Sequence, residues 1–163
     1  MAKNKEEKTN VMRVLEQKKI AYTAHTYPHE EGVAVDGVTV AQSMGFDPAA
    51  VFKTLVARGA SKQYYVFDVP VAENLDLKKA AKAVGEKSIE MIHQKELLPL
   101  TGYVHGGCSP VGMKKLFPTV IDASAENLET MIVSAGKIGY QVELSPRDLA
   151  ALVRAKFADL IAE

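Results

Sequence analysis

Two neighbouring apolar runs, joined by a short glycine-containing segment, constrain the fold of this chain most. Residues 51–57 and 64–69 are rich in valine, phenylalanine, leucine and tyrosine, and Gly59-Ala60-Ser61 lies between them. Runs of this kind, separated by only a few turn-forming positions, predict the two strands of a β-hairpin. Because a hairpin is an antiparallel pair, we expect the sheet that contains it to be antiparallel or mixed.

Helix and strand patterns alternate irregularly along the rest of the chain. Apolar residues at helical spacing predict an amphipathic helix over residues 5–19, and residues 75–85 predict a helix that ends at its glycine. Ser145-Pro146 is typical of a helix start and predicts a last helix that runs to about Leu160. Shorter elements are predicted as strands over residues 21–27, 88–92, 119–122, 131–134 and 141–144, and as helical segments over residues 39–44, 47–48 and 93–98. Several consecutive strands among helices favour an α+β domain.

The composition limits the class of protein. The 163 residues carry 20 basic and 20 acidic side chains, so the formal net charge is zero. This balance argues against binding of nucleic acid by bulk electrostatics, although it permits a local basic face around one site. A lone cysteine, Cys108, excludes an internal disulfide. We see neither a secretory signal nor an apolar run long enough for a bilayer, and expect a single domain over residues 1–163, in the cytoplasm and away from membranes.

Residues 106–112, Gly-Gly-Cys-Ser-Pro-Val-Gly, form a segment that we call the glycine loop. Glycine lets the main chain approach a ligand closely, and its N–H group can bind a carbonyl oxygen or an anion. The loop matches neither the phosphate-binding nor the dinucleotide-binding glycine motif. It predicts either a structural turn or a set of backbone donors for an attacked carbonyl group.

Lys53 is a lone lysine in the apolar strand Phe52-Lys53-Thr54-Leu55-Val56. A buried ammonium group is costly without a partner, so this side chain has to reach water, a protein partner or a ligand. Snorkelling to the surface from a strand edge would satisfy that need. In a ligand site, the lysine would instead bind a phosphate or ribose, or stabilise charge that develops on an ester.

Two residues of the glycine loop belong to nucleophilic types. Cys108 could act as a nucleophile with His93 or His105 as its base, but a free cysteine more often packs as a small hydrophobe. Ser109 lacks the surrounding residues of a nucleophile elbow and precedes a proline, which favours a structural turn. We therefore expect no covalent nucleophile from the chain itself.

The histidines and one lysine cluster have similar competing interpretations. His25, His29 and His105 lack the spacing of metal ligands, so we expect no metal site. The cluster of Lys78, Lys79 and Lys82 is typical of a solvated helix face and could also contact nucleic-acid phosphates.

Seven segments in one order resemble the YbaK/EbsC family, the free-standing relatives of the editing domain that is inserted in bacterial prolyl-tRNA synthetases. The segments are His25-Thr26-Tyr27, Val51-Phe52-Lys53-Thr54-Leu55, Pro70-Val71-Ala72, residues 75–83, Thr101-Gly102-Tyr103, the glycine loop and residues 133–137. The resemblance covers nearly the whole chain. It implies an α+β fold with a mixed, barrel-like, mostly antiparallel sheet and flanking helices.

The resemblance also implies an activity. It predicts a trans-editing aminoacyl-tRNA deacylase that removes cysteine mischarged onto tRNA(Pro), with the substrate thiol attacking its own ester and without any metal or organic cofactor. The implied partners are the aminoacylated 3′ end of tRNA and prolyl-tRNA synthetase, and we expect a monomer. A deacylase for another small amino acid such as alanine, and a non-catalytic module that binds a tRNA end or a nucleotide, are the alternatives.

Carried over residue by residue, the resemblance implies catalytic roles for Lys53, Gly106 and Gly107. The implied substrate-binding residues are Tyr27, Thr54, Ser109, Pro110, Ser134, Gly136 and Gln141. From its residue type alone, the tyrosine could equally be a half-buried strand residue. Relatives often carry an arginine and an aspartate where this chain has Ile138 and Gln141. Glutamine is neutral, so a role of that aspartate in orienting the substrate amine is not carried over.

Overall fold

The computed structural model describes residues 8–30 and 32–163. Within these ranges the chain forms five α-helices, eight strands and two short 3₁₀ turns. The helices are α1 (Asn10–Gln17), α2 (Gly37–Ser43), α3 (Leu77–Val84), α4 (Gln94–Thr101) and α5 (Pro146–Val153). The strands are β1 (Tyr22–Thr26), β2 (Phe52–Gly59), β3 (Tyr64–Pro70), β4 (Ile89–Met91), β5 (Thr119–Asp122), β6 (Met131–Ser134), β7 (Tyr140–Leu144) and β8 (Lys156–Ala158). The 3₁₀ turns are Pro48–Ala50 and Ala123–Asn127.

The strands form two sheets. The first has the order β1-β7-β6 and is antiparallel, and the second has the order β4-β2-β3-β5-β8. In the second sheet, β2 pairs antiparallel with both β3 and β4, whereas β5 is parallel to β3 and to β8. An isolated bridge between Val51 and Ile132 joins the start of β2 to the first sheet. The predicted mixed, mostly antiparallel α+β arrangement is therefore confirmed.

Local signals in the sequence explain several element boundaries. The predicted hairpin is present, with Phe52 opposite Pro70 and Arg58 opposite Tyr64. Asp76 caps α3 by accepting the N–H groups of Lys78 and Lys79 at 2.9 and 3.1 Å. A side-chain acceptor at this position satisfies N–H groups that have no partner within the helix, which is why α3 begins there.

Three predictions about the elements need correction. The two sheets do not close into a barrel within the described residues, because they are joined by an isolated bridge rather than by a continuous ladder. The last helix ends at Val153 and not near Leu160, since Arg154 adopts a left-handed conformation (φ 57°) and the chain returns as β8 beside β5. The first helix begins at Asn10, where Thr9 caps it, and the predicted residues 5–7 lie outside the described residues.

Apolar side chains pack on both faces of the second sheet. Successive residues of β3 point to opposite faces, so Val66 joins one cluster and Phe67 the other. The cluster around Val66 includes side chains of α1, α5 and the first sheet, whereas the cluster around Phe67 includes α3. A third, small cluster of Ala41, Val51 and Ile132 lies where α2 covers the junction of the two sheets.

Candidate active site

A cleft of about 430 Å³ lies at the junction of the two sheets. Its volume is in the range of sites that hold small ligands, about 300–1,000 Å³. The start of β2, the residues around the start of α2, the glycine loop and the first sheet all contribute to its wall. Its polar and ionisable lining includes Tyr27, Asp36, Lys53, Thr54, Cys108, Ser134 and Gln141, and the backbone of Gly106.

Lys53 of β2 lies half-buried in the cleft wall. Burial lowers the pKa of its ammonium group, while the nearby carboxylates of Asp36 and Glu73 oppose that shift. Within residues 8–30 and 32–163, this ammonium group is in no ion pair closer than 4.0 Å. A partly desolvated cation in a cleft can stabilise negative charge on a ligand more strongly than a cation in water can.

Asp36 is a cleft residue that sequence reasoning missed. It is the N-cap of α2, where its carboxylate accepts the N–H of Thr39 at 3.1 Å. The cap fixes the carboxylate at the N-terminus of α2. There it is close enough to Lys53 to oppose the lowering of the Lys53 pKa by burial. The signal for it is an aspartate immediately before a helical pattern, which is a common helix start.

The glycine loop reaches the cleft through Gly106. This residue has φ +90°, and a Cβ atom there would lie 2.7 Å from the Cβ of Ala34. Gly107 packs against the backbone of residues 137–138, and its N–H donates to the Val104 carbonyl at 3.0 Å. That bond occupies the Gly107 N–H, so of the two glycines it is Gly106 that can offer a backbone donor to a ligand.

Cys108 lines the cleft but is 7% exposed. Burial raises the pKa of its thiol to about 12, and the nearby Asp68 acts in the same direction. A thiol with so high a pKa stays protonated at neutral pH, and the thiolate is the nucleophilic form. The structure therefore agrees with Cys108 as a buried small hydrophobe.

Ser134 and Gln141 face each other across the β6–β7 ladder and line the cleft. The Oγ atom of Ser134 and the Oε1 atom of Gln141 are buried and have no hydrogen-bond partner among the described residues. Buried polar atoms are almost always paired in folded proteins, and leaving one unpaired costs free energy. Two such atoms in one wall of a cleft indicate a polar ligand.

Tyr27 is buried at the cleft wall, where its N–H donates to the Gly139 carbonyl at 2.9 Å. Its neighbour His29 bonds the Tyr27 carbonyl, and His25 bonds Glu143 at 2.8 Å. His105 lines the cleft, and these three histidines do not converge. In the part of the chain that the structure describes, no group of three or more histidine, cysteine, aspartate or glutamate side chains could hold a metal ion.

Four of the predicted site residues do not line the cleft. Ser109 is fully buried and its Oγ accepts the N–H of Val111 at 3.2 Å, which is the structural turn that the following proline favoured. Pro110 lines a separate, smaller depression of about 170 Å³. Gly136 packs against Tyr103, and Gly107 packs against the backbone of residues 137–138. Three of the four, Gly107, Ser109 and Pro110, belong to the glycine loop that also carries Gly106.

Thr54 connects the cleft to a second ionisable residue that sequence reasoning missed. Its hydroxyl donates to Oδ1 of Asp68 at 2.6 Å, and Asp68 lies directly opposite it in the β2–β3 pair. Asp68 is 0% exposed, and burial raises the pKa of its carboxyl to about 7. The signal was the same as for Lys53, a lone charged residue in an apolar strand.

The predicted basic cluster lies on α3, away from the cleft. Lys79 bonds Asp159 at 2.9 Å and the Ile161 carbonyl at 2.8 Å, so it connects α3 to the segment after β8.

Across the described ranges, none of the helices has the length and apolar character that a bilayer crossing needs.

The fold and the cleft agree with what family comparison shows. The chain belongs to the aminoacyl-tRNA editing domain family, whose model matches residues 32–152. This confirms the resemblance that the seven sequence segments indicated.

Individual relatives are consistent with this assignment. Over 161 residues, 98% of each chain, the sequence is 44% identical to the Enterococcus faecalis protein named "Putative Cys-tRNA(Pro)/Cys-tRNA(Cys) deacylase EbsC". Over 100 residues, 61% of this chain, it is 28% identical to proline–tRNA ligase of Shouchella clausii, of which the match covers 17%. A solved structure described as "a putative trans-editing enzyme for prolyl tRNA synthetase" superposes with a TM-score of 0.79 at 26% identity, covering 94% of this chain and 95% of that one.

Proposed function

We propose that this protein is a trans-editing deacylase that hydrolyses cysteine from mischarged tRNA(Pro). The observation that carries the proposal is the cleft itself. It places a half-buried lysine, the Gly106 backbone and two unpaired polar atoms around one space of small-ligand size. Membership of the editing-domain family and the 44% identical relative support the same substrate class.

The substrate supplies the nucleophile in this proposal. Because burial keeps the Cys108 thiol protonated, the chain offers no good thiolate of its own at the cleft. The thiol of the esterified cysteine attacks its own carbonyl carbon, so that a carbon–sulfur bond forms and the ester bond to the ribose oxygen breaks. The thiol proton ends on the released ribose hydroxyl, and water then opens the cysteine thiolactone to free cysteine.

The side chains of the cleft position the ester and stabilise its charge. As the carbonyl is attacked, negative charge develops on its oxygen, and the Lys53 ammonium and the Gly106 N–H are the donors proposed for it. Ser134 and Gln141 supply the unpaired polar atoms that would hold the amino acid, and Tyr27 offers an aromatic surface to the terminal nucleotide. Holding the thiol near its own carbonyl accounts for rate acceleration without a protein base.

A single-turnover comparison of one tRNA body charged with cysteine, serine or alanine tests the proposal. We expect release of cysteine to be much faster than release of the other two, and to accelerate with pH as the substrate thiol ionises. Equal rates for cysteine and serine would indicate attack by water and would contradict the mechanism. Preferential release of alanine would identify the alanine-type deacylase, and binding of the charged tRNA without any release would identify a binding module.

We further propose that the chain acts as a monomer in the cytoplasm, where tRNAs are charged, and that prolyl-tRNA synthetase supplies tRNA identity. The net charge of zero argues against tight binding to the whole tRNA body by electrostatics. A similar segment lies within the Shouchella clausii ligase chain, which supports cooperation between the two activities. Sedimentation of the protein alone, and deacylation assays with and without the synthetase on tRNA(Pro) and a second tRNA, test these points.

A further inference from the structure

Asp68 carries an unsatisfied oxygen beside the cleft residue Thr54. Its Oδ1 accepts the Thr54 hydroxyl at 2.6 Å, but Oδ2 has no hydrogen-bond partner within residues 8–30 and 32–163. Asp122, the buried aspartate of the adjacent strand β5, provides a contrast, because its Oδ2 caps the following turn and its Oδ1 accepts the Leu160 N–H at 2.9 Å. Asp122 thus has a structural role that uses both of its oxygens, whereas the hydrogen bond that Asp68 makes through Oδ1 goes to the cleft residue Thr54.

The bond to Asp68 determines what Thr54 can offer to a ligand. A threonine hydroxyl has one proton to donate and two lone pairs that accept. When the carboxylate takes that proton, the oxygen of Thr54 can only accept a hydrogen bond from any other group. When Asp68 is protonated it can donate to Thr54 instead, and the Thr54 proton is then free to point elsewhere.

We propose that Asp68 is a positioning residue of the cleft: as a carboxylate it takes the Thr54 proton and leaves Thr54 as an acceptor for a donor group on the bound aminoacyl end. The donor would be the α-amino group or the ribose 2′-hydroxyl of the substrate. This assignment rests on the proposed function for the identity of the ligand. It extends that function to a residue that does not line the cleft.

The surroundings of Asp68 favour a functional over a structural purpose. It lies opposite Thr54 of β2 and beside Ile121 of β5, and the titratable group coupled to it from the glycine loop is the neutral Cys108 thiol. No cation offsets the burial of the carboxyl among the described residues. A buried acid with only one of its oxygens hydrogen-bonded stabilises a fold less than an apolar side chain of similar size does. The presence of Asp68 in the core therefore needs a reason other than the stability of the fold.

Kinetics of single and double variants test the coupling. We expect Asp68→Val and Thr54→Val each to lower kcat/KM for release of cysteine from Cys-tRNA(Pro) about tenfold. The double variant should lose no more of its kcat/KM than the single variant with the larger loss, because both changes remove the same contact. Thr119→Val is the matched control, since that strand threonine donates to the Phe117 carbonyl and does not line the cleft. Additive losses, or full activity of Asp68→Val, would overturn the proposal.

A pH profile gives a readout that a purely structural role would not move. Asp68→Val has neither a titrating group nor an acceptor for the Thr54 proton, whereas the amide oxygen of an asparagine would still accept that proton. The ratio of wild-type to Asp68→Val kcat/KM should therefore rise between about pH 6 and 8, around the pKa of about 7 at Asp68, and then level off. A ratio that is constant with pH would contradict the proposal. Thermal unfolding of each variant shows whether the fold is kept.

Binding of a cleavage-resistant probe separates this proposal from the proposed function. The probe is 3′-amino-3′-deoxyadenosine linked to cysteine by an amide, and calorimetry should show about tenfold weaker binding to Asp68→Val. Probes lacking the α-amino group or the 2′-hydroxyl identify the donor, because the variant no longer weakens binding of the probe that lacks it. Tight binding of the probe that depends on Asp68, together with no release of cysteine from Cys-tRNA(Pro), would contradict only the proposed function. Absent wild-type binding, or weakening that persists with both shortened probes, would overturn the Asp68 proposal.

Discussion

The ammonium group of Lys53 is the one charge that we assign directly to the reacting ester. We expect Lys53→Ala to reduce deacylation of Cys-tRNA(Pro) by roughly a hundredfold or more, because loss of one preorganised charge contact costs a few kcal/mol of transition-state stabilisation. Single-turnover rates measure this. Lys79→Ala is the control, since Lys79 pairs with Asp159 outside the cleft. Near wild-type turnover in a folded Lys53→Ala protein would remove Lys53 from the mechanism.

Gly106 should tolerate no side chain. Gly106→Ala adds a Cβ 2.7 Å from that of Ala34, on a residue with φ +90°, and we expect it to lose activity by at least about tenfold. Gly45→Ala is a matched control for the backbone strain alone, because Gly45 has φ +75° with nothing within 4 Å of the added carbon. We expect this control to lose roughly 1 kcal/mol of stability and to keep its activity. Equal activities of the two variants would show that the close approach at Gly106 is unimportant.

Cys108 should be replaceable. Because its thiol is buried and stays protonated, we expect Cys108→Ala to keep most of the deacylase activity and to lose roughly 1–2 kcal/mol of stability from the small cavity. Rates and urea unfolding on the same preparation measure both quantities. Complete inactivation with normal unfolding behaviour would revive the nucleophilic cysteine.

Asp122 joins three elements at the carboxyl end of β5. Its two oxygens accept N–H groups from the turn after the strand and from the segment after β8. We expect Asp122→Asn to destabilise the fold by roughly 1–3 kcal/mol, because the amide of asparagine cannot accept on both sides. Asp148→Asn, an exposed change in the first turn of α5, is the control. Equal midpoints in urea for the two variants would contradict this role.

Elements with local signals could be predicted from the sequence, and those set by distant pairing could not. Residues 52–70 form the predicted hairpin, and Ser145 caps α5 as its residue type indicated. The strand β8 was missed because three residues beside a helix continue its pattern, and its position depends on β5, more than thirty residues earlier in the chain. The open arrangement of two sheets likewise depends on strand partners that no local pattern specifies.

The same distinction applies to the candidate site. Lys53 stood out because a charge in an apolar run has no packing reason, and it lies in the cleft. Asp68 carries the same signal, but only the register of β2 with β3 shows that it acts on Thr54. Gly107 has the residue type of an oxyanion donor, and only the local turn shows that its N–H is already bonded.

For the molecule as a whole, Asp68 should make stability depend on pH. Its pKa is about 7 when folded and 3.8 as its ordinary value, so between about pH 4 and 7 the folded chain keeps a proton that the unfolded chain has released. Stability therefore falls as pH rises through this window, by up to roughly 4 kcal/mol from this group. Relative to Asp68→Asn, the wild-type free energy of unfolding in urea should fall between about pH 4 and 7 and then level off. A constant difference would contradict burial of an ionisable acid.

The pairing of β1 with β7 also determines when the molecule acquires its cleft. During synthesis β1 emerges from the ribosome before β7. The pairing of Tyr22 in β1 with Leu144 in β7 therefore forms only after β7 has also emerged. Tyr27 follows β1 and Gln141 lies in β7, so these two cleft residues come together only after β7 has been synthesised. Contacts so distant in sequence form late and slowly. A nascent chain therefore lacks a complete cleft until β7 has left the ribosome and paired with β1.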